Sequence, residues 1–213
     1  MQASPISASS NGAPVVIGAG KMGYVYEMNS ETGKLIWKTP VGEHNGHDNN
    51  SLQALEHKST LKAPYTILPG SLGGVLTNMA LAGNSIYVVT IDLPLTFTSL
   101  KQVLPSKAAG PATGEVEALN LATGKVEWDT KVPDMPLGAA TVSHDLVFTT
   151  LYHGVLIALN RNTGAIVFRR QLPTSANSPI AIASNTVIVP AGGPTTSTRN
   201  GNPQVVAYTV PVK

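Results

Sequence analysis

The sequence of 213 residues contains no cysteine, few aromatic residues and few charges. The lack of cysteine excludes disulfide bonds, thiolate nucleophiles and cysteine-based zinc sites. Charged residues make up 12% of the chain, aromatic residues make up 5%, and the formal net charge is +2. Because the lysines and arginines form no basic stripe, the sequence gives no support to a nucleic-acid partner. No apolar run approaches the roughly 20 residues that a membrane-spanning helix needs.

The first twelve residues are small and polar, and they lack the basic start and the apolar core of a signal peptide. We predict a flexible N-terminal segment over 1–12. Two interpretations remain open: the protein stays inside the cell, or the chain lacks the beginning of its gene product. The repeats described next favour the second interpretation, and the absence of cysteine fits a location outside the cytoplasm without establishing it.

Glycine (20 residues) and proline (16 residues) are plentiful, and the chain contains a repeated pattern. Each repeat reads as a strand, the pattern Asn-x-x-Thr-Gly, and a second strand that ends in an aromatic residue: Val25–Trp37, Val116–Trp128 and Leu156–Phe168. Asn bonds the backbone that follows it, and Gly adopts a positive φ at little cost, so the pattern predicts a β-hairpin. We expect the final aromatic residue to pack against the neighbouring unit.

Each hairpin follows a further pair of strands, which gives four strands in roughly 40 residues, the pattern of a β-propeller blade. Thr123 and Thr163 are 40 residues apart, whereas Thr32 and Thr123 are 91 apart. One Thr-Gly hairpin closes the longer interval, so we predict a single blade there with a long insertion at about 43–77.

The chain is therefore predicted to be all-β, with about four four-stranded blades of a partial propeller ring over 13–213. The fourth blade begins near Asn177, and the first, which begins at Ala13, is predicted to lack one partner strand. Four blades form an open arc with an exposed apolar face at each end. We expect upstream blades or a second copy of the chain to close the ring.

The pattern Asn-x-x-Thr-Gly-Lys-x-x-Trp resembles the tryptophan-docking repeat of pyrroloquinoline-quinone (PQQ)-like β-propellers. That superfamily contains quinoprotein alcohol dehydrogenases and outer-membrane assembly scaffolds of the BamB type. The resemblance covers roughly residues 13 to 42 and 78 to 210. The docking pattern serves blade packing in both branches, so it indicates a fold rather than a function.

Two segments are similar to the dehydrogenase branch. By this resemblance, Lys21 in Val15–Tyr26 is a cofactor contact whose cation reaches the quinone oxygens, and Gly73 and Gly74 allow close approach of a flat ligand. The alternative for Lys21 is a solvated turn residue, and for the glycines a tight bend into the next strand. The dehydrogenases commonly have Asn-Trp after the two glycines, where this chain has Val75 and Leu76.

Other parts of the dehydrogenase site have no match in this sequence. The resemblance places the catalytic Asp and the calcium-binding Glu and Asn in blades upstream of this segment, and the chain contains no haem-attachment motif. We therefore predict no catalytic residue and no metal site in this chain. If the complete protein is an enzyme, the resemblance implies a PQQ-dependent alcohol-type dehydrogenase that binds PQQ with calcium.

One polar loop, Gly42–Ser51, concentrates possible metal ligands, namely Glu43, His44, His47 and Asp48. These residues lie in a Gly- and Asn-rich loop without the spacing of a known metal motif, which favours a solvated loop between blades. Long ordered insertions can nevertheless carry function.

Two functions remain open from the sequence. The first is a part of a propeller that binds a small ligand such as PQQ, and the second is a non-catalytic scaffold that binds other proteins. The superfamily favours an extracytoplasmic location for either one: periplasmic, secreted or on the cell surface.

Overall fold

The computed structural model describes residues 3–47, 62–70, 72–102, 107–108, 110–192 and 202–209. Every regular element in these residues is a β-strand, which confirms the predicted all-β class. None of the described residues forms a helix long and apolar enough to span a membrane.

Three antiparallel sheets have the four strands expected of a propeller blade. The first blade consists of β1 (Ile6–Ser10), β2 (Ala13–Gly20), β3 (Tyr24–Asn29) and β4 (Leu35–Pro40). The second consists of β6 (Ala80–Ala82), β7 (Ser85–Asp92), β10 (Thr113–Asn120) and β11 (Val126–Val132). The third consists of β12 (Thr141–Ser143), β13 (Leu146–Leu151), β14 (Val155–Asn160) and β15 (Ile166–Gln171).

A fourth blade has three strands among the described residues: β16 (Ala181–Ala183), β17 (Thr186–Ala191) and β18 (Gln204–Thr209). A fifth, small sheet lies outside the blade pattern and contains β5 (Tyr65–Ile67), β8 (Leu95–Phe97) and β9 (Lys107–Ala108). β5 comes from the connection between the first two blades, and β8 and β9 come from the connection between β7 and β10. Two separate insertions thus pair with each other, and the rings of Tyr65 and Phe97 stack at 5.3 Å.

The first blade corrects one sequence-based prediction. All five residues of β1 pair with β2, from Ile6 opposite Ile17 to Ser10 opposite Ala13. The blade therefore begins inside the segment 1–12 that was predicted to be flexible, and the prediction of a missing partner strand is wrong. The signal was weak because Ile6–Ser10 consists mainly of serine and alanine, which are poor indicators of a strand.

The core lies between neighbouring blades and not inside a single sheet, because each blade buries one face against the next. Val25 of the first blade packs with Val88 and Leu119 of the second. Val116 of the second packs in turn with Ile157 of the third. Since side chains alternate along a strand, each inner strand sends one set of residues to the preceding blade and the other set to the following blade.

Candidate functional site

The repeated Asn-x-x-Thr-Gly segment forms the same tight turn in all three hairpins, and we call it the docking turn. In the first blade, Asn29 Oδ1 accepts hydrogen bonds from the backbone N–H of Glu31 at 3.1 Å and from the N–H of Thr32 at 2.8 Å. The Thr32 hydroxyl donates to the same oxygen at 2.8 Å. Gly33 closes the turn with φ 69°, in the left-handed region that favours glycine.

Two docking turns receive a tryptophan from the preceding blade. The Trp37 indole N–H donates to the carbonyl of Leu121 at 3.0 Å, and the Trp128 indole N–H donates to that of Arg161 at 2.8 Å. A Cβ atom added at Gly124 would lie 2.6 Å from the Trp37 ring, and one at Gly164 would lie 2.6 Å from the Trp128 ring. The indoles therefore lie flat on glycines that have no side chain to displace them.

A threonine two residues after each tryptophan completes the contact. The Thr39 hydroxyl donates to the Gly124 carbonyl at 2.7 Å, and the Thr130 hydroxyl donates to the Gly164 carbonyl at 2.8 Å. Each docking contact thus combines a stacked indole with two side-chain hydrogen bonds to the turn. The predicted packing role of the two tryptophans is confirmed.

The docking turn of the first blade is open. A Cβ atom added at Gly33 would meet no atom of the described residues within 4 Å. Tyr24, Tyr26 and Met28 lie on the β3 face that points away from the second blade, and all three are partly exposed. The first blade thus presents a preformed docking turn beside a partly exposed aromatic face, on which Lys38 and His44 pack against Tyr24.

The structure brings together the three predicted cofactor-binding residues. Gly74 packs against the backbone of Lys21, and a Cβ atom added at Gly74 would lie 2.3 Å from the Lys21 carbonyl oxygen. Two hydrogen bonds between Gly74 and Ile91 and one from the Val75 N–H to the Gly20 carbonyl hold this contact. The turn between β2 and β3 therefore rests on the segment that leads into the second blade.

Protein backbone fills the space in the Cβ direction of both glycines. A Cβ atom added at Gly73 would overlap the Pro69 carbonyl oxygen and would lie 2.7 Å from that of Ile91. The close approach that glycine allows at these positions is thus made by the chain itself. This packing favours the tight bend that was the alternative for these two glycines.

In the described part of the polar loop after the first blade, His44 makes contacts with that blade. Asp48–Ser51 and His57 lie outside the described residues. The Nε2 atom of His44 lies 2.9 Å from the Gly23 carbonyl oxygen, and its ring packs against Tyr24 with centroids 4.8 Å apart. The Glu43 side chain points elsewhere, to Lys131 at 2.6 Å. Glu43 and His44 therefore do not converge on one metal position.

Sequence reasoning named Glu43 but missed the group of acidic residues between the first and second blades to which it belongs. We call this group the acidic cluster: Glu43, Asp92, Glu115, Glu117 and Asp129. One oxygen from each of the last three lies within 4.8 Å of the others. Most of these residues line a cavity of about 450 Å³. Glu115 and Glu117 are 4% and 3% exposed, so two carboxyl groups lie almost completely inside the interface between two blades.

Lys131 is the cation of this cavity. Its Nζ lies 2.6 Å from Glu43 Oε1 and 3.1 Å from Glu115 Oε1. Hydrogen bonds to these two carboxylates raise the pKa of Lys131. Burial raises the pKa of Glu115, although its bond to Lys131 acts in the opposite direction. The ammonium therefore compensates Glu43 and Glu115 directly.

Glu117 lies deeper and has neutral partners. Its Oε2 accepts a hydrogen bond from the Thr90 hydroxyl at 3.1 Å. Burial raises the pKa of Glu117 to about 8, and the charges of Glu115 and Asp129 act in the same direction. The repeat could have revealed this residue, because Glu115 and Glu117 precede Asn120 by the same offsets at which Val155 and Ile157 precede Asn160.

Glu27 adds a further buried carboxyl group to the same interface. Glu27 is fully buried, and neither carboxylate oxygen has a hydrogen-bond partner among the described residues. Burial raises the pKa of Glu27, while the polar hydrogens of Ser10 and Trp37 act in the opposite direction. The equivalent residues of the next two blades are Ala118 and Ala158, so the repeat does not require a carboxyl group there.

Comparison with known proteins agrees with this architecture. Residues 112–209 match the family model described as outer membrane protein assembly factor BamB. The chain is 28% identical over 163 residues to the outer membrane protein assembly factor BamB of Yersinia pestis. The aligned region covers 76% of this chain and 31% of that protein.

Solved structures of quinohemoprotein alcohol dehydrogenases share the fold. The enzyme from Comamonas testosteroni superposes with a TM-score of 0.70 at 17% identity, over 96% of this chain and 37% of that one. The enzyme ADHIIG from Pseudomonas putida HK5 superposes with a TM-score of 0.67 at 14% identity, over 89% of this chain and 34% of that one. The chain spans about a third of the length of these proteins, and the structural likeness at such identities concerns the fold alone.

Proposed function

We propose that the chain is a segment of a PQQ-like β-propeller repeat protein and that it acts as a non-catalytic scaffold that binds other protein segments. The observation that carries this proposal is the open docking turn of the first blade. Its Asn29, Thr32 and Gly33 have the hydrogen bonds and the positive φ of the two turns that hold a tryptophan. A preformed turn has already lost its conformational freedom, so a partner binds it at a lower entropic cost.

The two occupied turns define the chemistry of the partner. A strand that carries a tryptophan and, two residues later, a threonine would stack its indole on Gly33. The indole N–H would donate to the Ser30 carbonyl and the threonine hydroxyl to the Gly33 carbonyl, as the equivalent groups do in the next two blades. Upstream blades or a second copy of the chain would then cover the first blade and extend the arc towards a closed ring.

The loops beside Lys21 offer a second contact surface for protein. Met22 and Leu72 are 38% and 53% exposed, and they lie in the two loops that meet at the contact between Lys21 and Gly74. Exposed large apolar side chains on ordered loops favour contact with protein over contact with a small polar ligand. The curated relative is named as an assembly factor, which supports the same function.

Quinone binding is the second candidate, and the placement of Lys21 favours it. Lys21 lies directly beside Gly74, as the resemblance to the dehydrogenases implies, and a lysine ammonium would polarise a quinone oxygen. The backbone that fills the space beside both glycines argues against it. PQQ with calcium would therefore require a site formed mainly by other blades of the complete protein.

A thermal-shift titration separates the two functions. The wild-type chain, Lys21→Ala and the exposed-lysine control Lys34→Ala are titrated with PQQ plus calcium and with calcium alone. A scaffold gives the same melting temperature with and without PQQ in all three proteins. A ligand that binds only the folded state raises that temperature by mass action. A saturable rise that disappears in Lys21→Ala and persists in Lys34→Ala would overturn the scaffold proposal.

We also propose that the complete protein lies outside the cytoplasm. The matched relative is named as an outer membrane protein assembly factor, and the absence of cysteine is compatible with an oxidising compartment. Fractionation of cells that make the complete natural protein tests this location. Recovery with cytoplasmic markers would contradict it.

A further inference from the structure

The contact between the first and second blades contains carboxyl groups at positions where the next contact is apolar. Glu115 and Glu117 face the first blade, and the equivalent Val155 and Ile157 of the third blade pack against the second. Removing a carboxylate from water is costly unless it is paired or protonated. An apolar pair would satisfy the fold at this position, so the repeat offers no packing reason for the two acids.

Several charged or titratable groups surround Glu117, and they come from three sides. Glu115 lies on the same strand, Asp129 and Lys131 lie on β11, Asp92 lies on β7, and Glu43 and His44 follow β4 in the first blade. Lys131 is bonded to Glu43 and Glu115. Asp129 is the direct cross-strand partner of Glu117. Glu117 therefore faces mostly like charge, and the nearby ammonium is engaged with other carboxylates.

We propose that Glu117 is a proton-dependent latch between the first and second blades. With its proton bound, the neutral carboxyl group lies in the closed interface, where burial and the charges of Glu115 and Asp129 outweigh the Thr90 hydroxyl and the Gly42 backbone, which favour the carboxylate. When the proton leaves through the adjoining cavity to solvent, the resulting carboxylate repels Asp129 and Glu115 and loosens the contact between the blades. No bond other than the carboxyl O–H changes, and the reaction needs no co-reactant.

The direction of the pH effect follows from the carboxyl group itself. The pKa of Glu117 is raised from its ordinary value to about 8 in the folded chain. The folded state therefore holds a proton that the unfolded state has lost between these two values. Its stabilising contribution is complete below the ordinary glutamate pKa of about 4.3 and is lost as the pH rises to about 8. The latch thus responds across the neutral range.

The first test compares melting temperatures from pH 5 to pH 9 in the wild type, Glu117→Gln and the exposed control Glu31→Gln. Gln mimics the protonated carboxyl group, so Glu117→Gln and the wild type melt alike at pH 5. Above pH 5 the wild type falls below Glu117→Gln by roughly 3 °C per pH unit until about pH 8. Glu31→Gln follows the wild type. Parallel curves for the wild type and Glu117→Gln would overturn the proposal.

Hydrogen exchange of the backbone amides identifies the segments that loosen when Glu117 loses its proton. At pH 8, exchange in 24–40 and 113–132 is faster in the wild type than in Glu117→Gln, whereas exchange in 146–171 is the same in both. Equal exchange in all three segments, or a uniform increase, would contradict a latch at this interface. If Glu117→Gln does not fold, Glu117→Ile takes its place, because Ile157 occupies the equivalent position in the third blade. Its melting temperature should depend less on pH than that of the wild type.

Discussion

The two contacts between the first three blades share one docking geometry and differ in the rest of their chemistry. In both, an indole N–H and a threonine hydroxyl donate to a turn whose glycine lies under the indole. Beyond that contact, the second and third blades meet through apolar residues such as Val155 and Ile157. The first and second blades meet there through Glu115, Glu117 and Lys131.

This difference shows that the docking contact holds neighbouring blades in register while the remaining interface is free to vary. A conserved geometry with variable chemistry is how one fold supports several functions. The buried acids in the first contact are therefore the part of the molecule that packing alone does not explain. Substitutions in the two contacts should therefore have similar effects at the docking turns and different effects at the buried acids.

The largest expected effect comes from removal of a docked indole. Trp128→Ala should lower the free energy of unfolding by about 3–5 kcal/mol, because Trp128 is 9% exposed and packs beside Tyr87. Trp37→Ala should cost less, because Trp37 is only partly buried. Urea unfolding measures both. Equal losses would mean that burial around the indole does not set the strength of the contact.

Alanine at the docking glycines should produce the next largest effect. Gly124→Ala and Gly164→Ala each carry two costs. A left-handed φ costs about 1–2 kcal/mol for a residue with a Cβ atom. Overlap of the new Cβ atom with the docked indole costs about 1–3 kcal/mol more. Gly33→Ala carries the backbone cost alone at protein concentrations low enough to keep the chain monomeric, since its turn is then open. Thermal unfolding of the three variants should therefore give a smaller loss for Gly33→Ala. A loss as large as that of Gly124→Ala would show that the first turn is covered.

A smaller and pH-dependent effect is expected at Glu27. Burial raises the pKa of Glu27, so the folded state retains a proton that the unfolded state has released. Stability from this group is complete below the ordinary glutamate pKa and is lost as the pH rises through the raised pKa. The melting temperature of Glu27→Gln should therefore fall less than that of the wild type between pH 5 and pH 8. An identical fall would show that Glu27 does not titrate in this range.

The smallest effect is expected for Lys131→Met. The pair with Glu43 is largely exposed and contributes at most about 1 kcal/mol, but loss of the ammonium also leaves Glu115 uncompensated. We expect a modest loss of stability at pH 8 and a smaller loss at pH 5, where the carboxyl groups of the cluster carry less charge. Thermal unfolding at both values measures the difference, and a larger loss at pH 5 would contradict the prediction.

The blade pattern could be predicted from the sequence because its signals are local. Asn29, Thr32 and Gly33 determine a turn through bonds within five residues, and the same offsets recur twice. The strand Ile6–Ser10 was missed because its pairing with β2, and not its composition, makes it a strand.

The candidate site was harder to predict because it depends on contacts between blades. Lys21 and Gly74 are far apart in the sequence, and only the fold shows that backbone fills the space beside Gly73 and Gly74. Glu115 and Glu117 look like ordinary alternating polar residues of a strand with one solvated face. Their burial follows from the first blade that covers them, although comparison with Val155 and Ile157 gives a hint.

The most direct test of the open docking face is light scattering over a range of protein concentrations, with two matched variants. Ile36 and Val167 occupy equivalent positions, directly before the aromatic residue of the last strand of the first and third blades, and they are 48% and 57% exposed. Of the two, only Ile36 lies in the first blade, beside the open docking turn. The account predicts that the 22.1 kDa chain associates, that Ile36→Glu weakens association and that Val167→Glu does not. A well-folded monomer at all concentrations, or equal weakening by both variants, would contradict the account.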